Sequence, residues 1–177
     1  SIFNFNNTYF ELLAANGEGL GAQLVTKTIE ENGEGLTGIV LGTEDLENSK
    51  NQLLKKGFDF GSVSQGEGLD FDSGKIRRWK NLFLPDKLTR GLFTFLIEHT
   101  EGELPEPESL PTSSVHKLDH VVINTNDPDG FIDVYQNIYG LRLALDQTVE
   151  KWGGRMLFFR LNHTTIEVIG KNDDNET

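Results

Sequence analysis

Few nitrogen or sulfur side chains in this sequence could bind a metal, because the chain has four histidines and no cysteine. Without cysteine there are no disulfides, thiolate metal sites or cysteine nucleophiles. Any metal must therefore be bound by imidazole and carboxylate groups, which suit Fe(II), Mn(II), Ni(II) or Zn(II). The four histidines are His99, His116, His120 and His163.

His120 and Glu167 are the candidate metal ligands. Each lies in a short run with the period-two alternation of a β-strand. Taken alone, the pair is more typical of a hydrogen-bonded core histidine and a solvent-facing glutamate than of a metal site. His116 adjoins a linker and His163 a turn, and both are expected to be exposed.

The elements that would position the two candidate ligands form a predicted β-α-β-β-β unit over residues 115–170. Asp127 is placed to cap a helix, and Pro128 then takes the first helical position, where a missing N–H costs no hydrogen bond. Apolar side chains at helical spacing follow, namely Phe131, Val134, Tyr135 and Ile138. Strands are predicted over residues 118–125, 141–148, 156–161 and 164–169.

A second unit with the same order of elements is predicted over residues 33–100. Its first strand, Leu-Thr-Gly-Ile-Val-Leu-Gly-Thr-Glu-Asp at 36–45, aligns with Leu-Asp-His-Val-Val-Ile-Asn-Thr-Asn-Asp at 118–127, with four identities in ten positions. Gly38 then occupies the position of His120, and Glu98 is matched to Glu167. The repeat predicts an α+β fold of tandem βαβββ modules with curved mixed sheets. Its strands are predicted over residues 36–43, 58–63, 76–84 and 91–99, with a Gly-rich loop at 65–75.

Two further segments lie outside the modules. Residues 1–15 predict a hairpin that turns at Asn6-Asn7, and residues 18–32 a helix that ends at Gly33. Residues 101–114 contain three of the five prolines and four acidic residues, which predicts an extended linker.

Charge and hydropathy indicate which classes of binding partner are excluded. The net charge of −12 argues against nucleic acid and anionic membranes, and no apolar run approaches the roughly 20 residues that span a bilayer. A cysteine-free chain of this kind is expected to be cytoplasmic. Arg77, Arg78 and Lys80 flank Trp79, and a solvated face is favoured over an anion site there.

The sequence resembles the vicinal oxygen chelate superfamily, which includes glyoxalase I, bleomycin and fosfomycin resistance proteins and extradiol dioxygenases. The resemblance rests on Leu-Asp-His-Val-Val-Ile at 118–123, Asp-Pro at 127–128, Tyr-Gly-Leu at 139–141, Gly-Gly-Arg-Met-Leu-Phe-Phe-Arg at 153–160 and Thr-Ile-Glu-Val-Ile-Gly at 165–170. Residues 77–79 and 92–98 resemble the second module of glyoxalase-like proteins that contain several tandem modules. On that basis residues 1–15 correspond to the last strands of a partial preceding module of a longer protein.

The resemblance implies that paired modules form a cup and that His120, Glu167 and Glu98 bind a divalent metal ion. Glu167 is then also the predicted catalytic residue, because a carboxylate beside the metal can move a proton. The absence of a histidine at Gly38 weakens this set. Glu11 matches the same glutamate in the N-terminal segment. For both Glu11 and Glu98, leftover family pattern or edge-strand charge is the favoured interpretation.

Two functions remain open from the sequence. The first is a glyoxalase- or dioxygenase-type protein whose metal chelates oxygens of a small molecule, as a metal-dependent lyase or an extradiol-type dioxygenase. The alternative is a metal-free protein that binds or sequesters a small molecule, as bleomycin resistance proteins do. Either would act as a homodimer or by pairing with missing modules.

Overall fold

The computed structural model describes residues 1–71, 73–104 and 115–171, arranged as two compact units. Ser1 with Glu11–Pro105 forms the first unit, and Ile2–Phe10 with Glu106–Thr177 forms the second. Most of the predicted linker, residues 105–114, lies outside the described residues. Among the described residues no helix is both long and apolar enough to cross a membrane.

The N-terminal hairpin consists of β1 (Ile2–Asn4) and β2 (Tyr9–Glu11), which confirms the predicted hairpin with shorter strands. The Asn7 side-chain amide at its turn donates hydrogen bonds to the Leu118 carbonyl, at 2.8 Å, and to Thr164 Oγ1, at 3.0 Å. These bonds explain why the turn belongs to the second unit. The next element, α1 (Leu20–Asn32), confirms the predicted helix, and the Gly33 N–H closes it on the Ile29 carbonyl at 2.8 Å.

The first unit is one βαβββ module. Its elements are β3 (Gly38–Gly42), α2 (Leu46–Lys55), β4 (Ser64–Leu69), β5 (Ile76–Phe83), the short α3 (Asp86–Thr89) and β6 (Phe93–Glu101). The sheet order is β3-β6-β5-β4, with β3 and β6 parallel and the other pairs antiparallel. Helix α2 packs on β5 and β6, and its Leu46 and Leu53 are buried there.

The second unit repeats this design. Its elements are β7 (His120–Thr125), α4 (Pro128–Phe131) running on as a π-helix (Ile132–Ile138), β8 (Arg142–Val149), a 3₁₀ turn (Glu150–Trp152), β9 (Gly154–Leu161) and β10 (Thr164–Lys171). The order is β7-β10-β9-β8, with β7 and β10 parallel. Two four-stranded mixed sheets of the same topology confirm the predicted α+β class with tandem modules.

The helix of the second unit covers one face of its sheet. The Asp127 carboxylate accepts a hydrogen bond from the Gly130 N–H at 2.9 Å, as the capping pattern predicts. Tyr135 is 1% exposed, and its ring lies 5.5 Å from that of Phe159. The core of this unit therefore lies between the helix and the sheet, and the other face of the sheet is not covered by this helix.

The second strand of the first unit is not where the sequence predicted it. The prediction of a strand at 58–63 is wrong, and β4 forms at Ser64–Leu69 within the segment predicted to be a Gly-rich loop. Gly66 pairs with Trp79 of β5, and a Cβ at Gly66 would lie 2.3 Å from the indole Nε1. The glycines mark a close approach rather than a loop, because the indole occupies the space that side chains would fill.

Glu98 of β6 binds the start of α2. Its Oε2 accepts a hydrogen bond from the Leu46 N–H at 2.9 Å, and Lys80 Nζ lies 3.2 Å from its Oε1. The Asp45 Oδ1 accepts a second hydrogen bond, from the Asn48 N–H at 2.9 Å. Glu98 and Asp45 thus bind two N–H groups at the start of α2 that have no partner within the helix. The pKa of Glu98 is lowered, first by the hydrogen bond from Leu46 and then by Lys80.

We expect Gly66→Ala to destabilise the first unit by about 1–3 kcal/mol, because the new methyl group must displace the indole of Trp79. Urea denaturation measures the loss, and tryptophan emission should shift as the ring moves. Gly61→Ala is the matched control, since a Cβ at Gly61 has no neighbour within 4 Å. Equal stability and equal emission in the two variants would show that the indole does not depend on Gly66.

We expect Glu98→Gln to lower the free energy of unfolding at pH 7 by roughly 1–2 kcal/mol, because the charged acceptor at the start of α2 becomes neutral. A folded pKa below the ordinary value of 4.5 stabilises the fold above that value, and the benefit is lost as pH falls through the folded pKa. The deficit of the variant should thus shrink below pH 4.5 in urea titrations. Glu103→Gln, with an exposed carboxylate, is the charge-matched control. A deficit independent of pH would contradict this role.

Candidate functional site

The open face of the second sheet, defined as the face opposite the π-helix, holds the candidate site. Strand pairing puts Val122 beside Glu167 and Glu167 beside Phe158, so these three side chains share that face. His120 lies two residues before Val122 and projects to the same side. Val122 is 43% exposed although it is apolar. The face combines one imidazole and one carboxylate with an apolar surround.

His120 and Glu167 lie close together, as the family resemblance implied for them. His120 Nε2 lies 3.6 Å from Glu167 Oε2. His120 pairs with Thr165 in the parallel ladder, so Glu167 is offset from it by one side chain along the same face. The carboxylate is 16% exposed and the imidazole 47%. Both groups are therefore reachable from the open side of the sheet.

Asp119 holds the other nitrogen of the same imidazole. Its Oδ2 lies 3.2 Å from His120 Nδ1, and Lys117 Nζ lies 3.4 Å from its Oδ1. The pKa of Asp119 is lowered, first by the hydrogen bond with His120 and then by the one from Lys117. A carboxylate at Nδ1 fixes the ring and leaves Nε2 directed at Glu167, which is the usual outer support of a metal-binding histidine.

The spacing of the pair fits two ligands of one metal ion. Metal–donor distances near 2.1 Å put two ligand atoms about 3.0 Å apart at a right angle and about 3.4 Å apart at the tetrahedral angle. The observed 3.6 Å is close to this range. Residues 1–71, 73–104 and 115–171 contain no group of three His, Cys, Asp or Glu side chains that could hold a metal. The face thus brings together one imidazole and one carboxylate.

Glu98 does not correspond to Glu167, and this corrects the predicted match between the modules. In the first sheet Val40 pairs with Phe95, as Val122 pairs with Glu167 in the second, so Phe95 takes the place of Glu167. Glu98 faces α2, where it binds Leu46 and Lys80. Matching glutamate to glutamate shifted the alignment by three residues, because the sequence does not reveal the register of parallel strands.

Gly38 is a position where no side chain fits. A Cβ there would lie 2.1 Å from the carbonyl oxygen of Phe93. Phe83, Phe93 and Phe95 form an aromatic cluster on this face, with ring centroids 5.3–6.2 Å apart. The first module therefore has a close strand approach and aromatic rings where the second has the histidine and the carboxylate.

The basic run of the first module is engaged in contacts of its own. Arg78 forms ion pairs with Glu67, at 2.9 Å, and with Glu101. The Arg77 guanidinium lies 5.7 Å from the centre of the Trp79 ring. With Lys80 bound to Glu98, these contacts agree with the favoured interpretation of the run as a solvated face.

The remaining candidate side chains are His99, His116, His163 and Glu11. His99 is paired with Trp79, and burial, followed by the nearby charge of Arg77, lowers its pKa. His116, His163 and Glu11 are exposed, as predicted for the two histidines.

Sequence reasoning missed two arginines on the open face. Arg142 pairs with Arg160, and Arg160 pairs with Thr165, the residue beside His120. The alternation of their strands was visible in the sequence. Their common row was not, because it depends on the register of three strand pairs.

Comparison with known proteins agrees with this architecture. A glyoxalase-like domain family model matches residues 1–117, which cover the hairpin and the first module. The fold is similar to that of a hypothetical protein from Staphylococcus aureus, with a TM-score of 0.60 and 15% identity over 85% of this chain. The chain spans 58% of the length of that protein. No protein of curated function matches the chain significantly.

Two further solved structures match the chain with lower TM-scores. A glyoxylase/bleomycin resistance protein/dioxygenase domain from Frankia sp. EAN1pec is 21% identical, covering 78% of this chain and 98% of that one, with a TM-score of 0.41. The genomically encoded fosfomycin resistance protein FosX from Listeria monocytogenes is 16% identical, covering 81% and 98%, with a TM-score of 0.37. Since the family model matches 117 of the 177 residues, the chain belongs to the glyoxalase-like domain family, within the vicinal oxygen chelate superfamily that its sequence resembles.

Proposed function

We propose that the open face of the second module binds a divalent metal ion that chelates oxygens of a small molecule. The observation that carries this proposal is the 3.6 Å spacing of His120 Nε2 and Glu167 Oε2, supported by Asp119 behind the imidazole. A bound ion would act as a Lewis acid and stabilise negative charge that develops on substrate oxygen.

Each residue of the face has a separate role in this proposal. His120 supplies a neutral nitrogen ligand, and Asp119 keeps its ring oriented. Glu167 supplies an oxygen ligand and is also placed to take or return a proton of a bound molecule, because its carboxylate is only partly shielded from the open side. The apolar side chains of Val122 and Phe158 beside it exclude water and strengthen these electrostatic interactions.

The rest of the ligand set comes from outside this face. Two protein ligands are fewer than the three that catalytic metal sites usually have. A second copy of the chain or a further module of a longer protein would complete the set. With a redox-inert ion the site fits a metal-dependent lyase, and with Fe(II) it fits an extradiol-type dioxygenase.

The first module supports a second candidate function, the metal-free binding of a small molecule. Its sheet face has no room for a side chain at Gly38, and Phe95 replaces the carboxylate. Three clustered phenylalanines provide an apolar, aromatic surface of the type that small molecules use. Binding that persists after metal removal and depends on Phe95 would support this candidate over the first.

We expect the purified protein to bind a divalent ion such as Mn²⁺, Ni²⁺ or Zn²⁺, and His120→Ala and Glu167→Gln to weaken that binding at least tenfold, since each removes one of the protein ligands. Elemental analysis and calorimetric titration of chelator-treated protein measure this. Asp119→Asn should have a smaller effect, because it removes only the support of the ring.

Two matched controls accompany this measurement. His163→Ala removes an exposed histidine of the same unit, and Glu98→Gln changes a carboxylate that is bound to α2. Both should leave metal affinity unchanged. Absence of metal binding in the wild-type chain, or equal losses in the control variants, would refute the metal site.

A further inference from the structure

The two arginines on the open face of the second sheet lie in one row with the candidate metal ligand. Across neighbouring strands, the row runs from Arg142 to Arg160, then to Thr165 and His120, each residue directly paired with the next. Directly paired residues of a sheet project to the same face. Arg142 and Arg160 are both exposed.

This arrangement places two positive charges side by side without a neutralising partner. Like charges directly opposite each other in a sheet are destabilising. Within the described part of the chain, the Arg142 side chain has no hydrogen bond or ion pair, and the Arg160 side chain bonds only to the neutral Thr165 Oγ1, at 2.5 Å. The chain has a net charge of −12, so the two arginines do not lack ion-pair partners for want of acidic residues in the sequence.

Arg155 shows how the same sheet treats an arginine with a structural role. It lies on the opposite face, and its guanidinium donates to Asp146 through Nε and Nη2, both at 2.7 Å, and to Asp129 at 2.6 Å. Two carboxylates thus satisfy this single cation. The contrast separates Arg142 and Arg160 from arginines that hold the fold together.

We propose that Arg142 and Arg160 bind an anionic oxygen group, a carboxylate or a phosphate, of the small molecule that the open face takes. Guanidinium groups suit both anions, because their planar N–H donors match paired oxygens. The hydrogen bond to Thr165 orients Arg160 and leaves its other donors available. The anion replaces the missing acidic partner and removes the repulsion between the two cations.

The row also sets the distance between the chelating end and the anionic end of the bound small molecule. Adjacent strands are about 4.8 Å apart, so β9 and β8 lie about 10 Å and 14 Å from β7, which holds His120. A molecule with chelating oxygens at one end and a carboxylate or phosphate several atoms away fits this spacing. The identity of the chelating end rests on the proposed metal site, whereas the anion site stands on the arginine pair alone.

The test uses chelator-treated wild-type protein titrated with inorganic phosphate and, separately, with succinate, in low-salt buffer by calorimetry. We expect at least one anion to bind, and Arg142→Gln and Arg160→Gln each to weaken it tenfold or more. Binding of phosphate alone identifies a phosphorylated class of ligand, and binding of succinate alone a carboxylate class. Lys151→Gln, which removes one exposed charge of the same unit, should leave the affinity unchanged.

Thermal unfolding provides a second readout that a purely structural role would not give. Without an anion, Arg142→Gln should melt at the wild-type temperature or above it, since the substitution relieves repulsion. The bound anion should raise the melting temperature of the wild type but not of the variant. Lower stability of Arg142→Gln in anion-free buffer, or anion affinities equal in the wild type and both arginine variants, would overturn the proposal.

The two proposed sites fail independently in these experiments. His120→Ala should leave phosphate and succinate affinity unchanged, and the arginine variants should leave metal content unchanged. Loss of metal binding alone would refute the metal site and leave the anion site in place. If the wild-type protein bound neither anion at about 10 mM, the anion site alone would be refuted. A dissociation constant of that size corresponds to a binding free energy of roughly 2.7 kcal/mol.

Discussion

The register of the parallel strand pair in each module is the constraint on which the rest of the structure depends. The first and last strands of a module, β7 with β10 and β3 with β6, decide which side chains share a sheet face. Because side chains alternate with a period of two, a shift of one residue would move Glu167 to the helix side of its sheet. The candidate site exists only in the observed register.

The two modules share this register but use it differently. In the second, an imidazole and a carboxylate meet on the open face, with Asp119 fixing the ring. In the first, β3 approaches β6 so closely at Gly38 that a Cβ would overlap the Phe93 carbonyl. The packing of the strands therefore excludes a histidine at this position, and three phenylalanine rings cluster on the same face.

The charged side chains fall into two groups: those that are bound by partners within the fold and those that lie on the open face with fewer partners. Glu98 and Arg155 are each bound by two partners on the helix side of their sheets, and both stabilise the attachment of a helix. Glu167, Arg142 and Arg160 lie on an open face with fewer partners. The distinction between the two groups is one of face and register, and residue type alone does not reveal it.

The sequence by itself determined the order of elements, the repeat of two βαβββ modules and the strands that hold His120 and Glu167. Local rules suffice for these features, because period-two alternation, the Asp127-Pro128 helix start and the repeated first strand depend on neighbours along the chain. The sequence also predicted which face of its own strand each of the two residues occupies, because each lies in a run with period-two alternation. The contact between these two residues was implied by the family resemblance and depends on the register of β7 and β10.

Only the tertiary structure decided the position of β4, the role of Glu98 and the arginine row. The Gly-rich segment at 64–69 is a strand because Trp79, from another strand, fills the space above its glycines. Glu98 faces α2 because strand pairing sets its side, and Arg142 meets Arg160 only through the antiparallel register of β8 and β9. Each depends on contacts between residues distant in sequence, whose register no local pattern encodes.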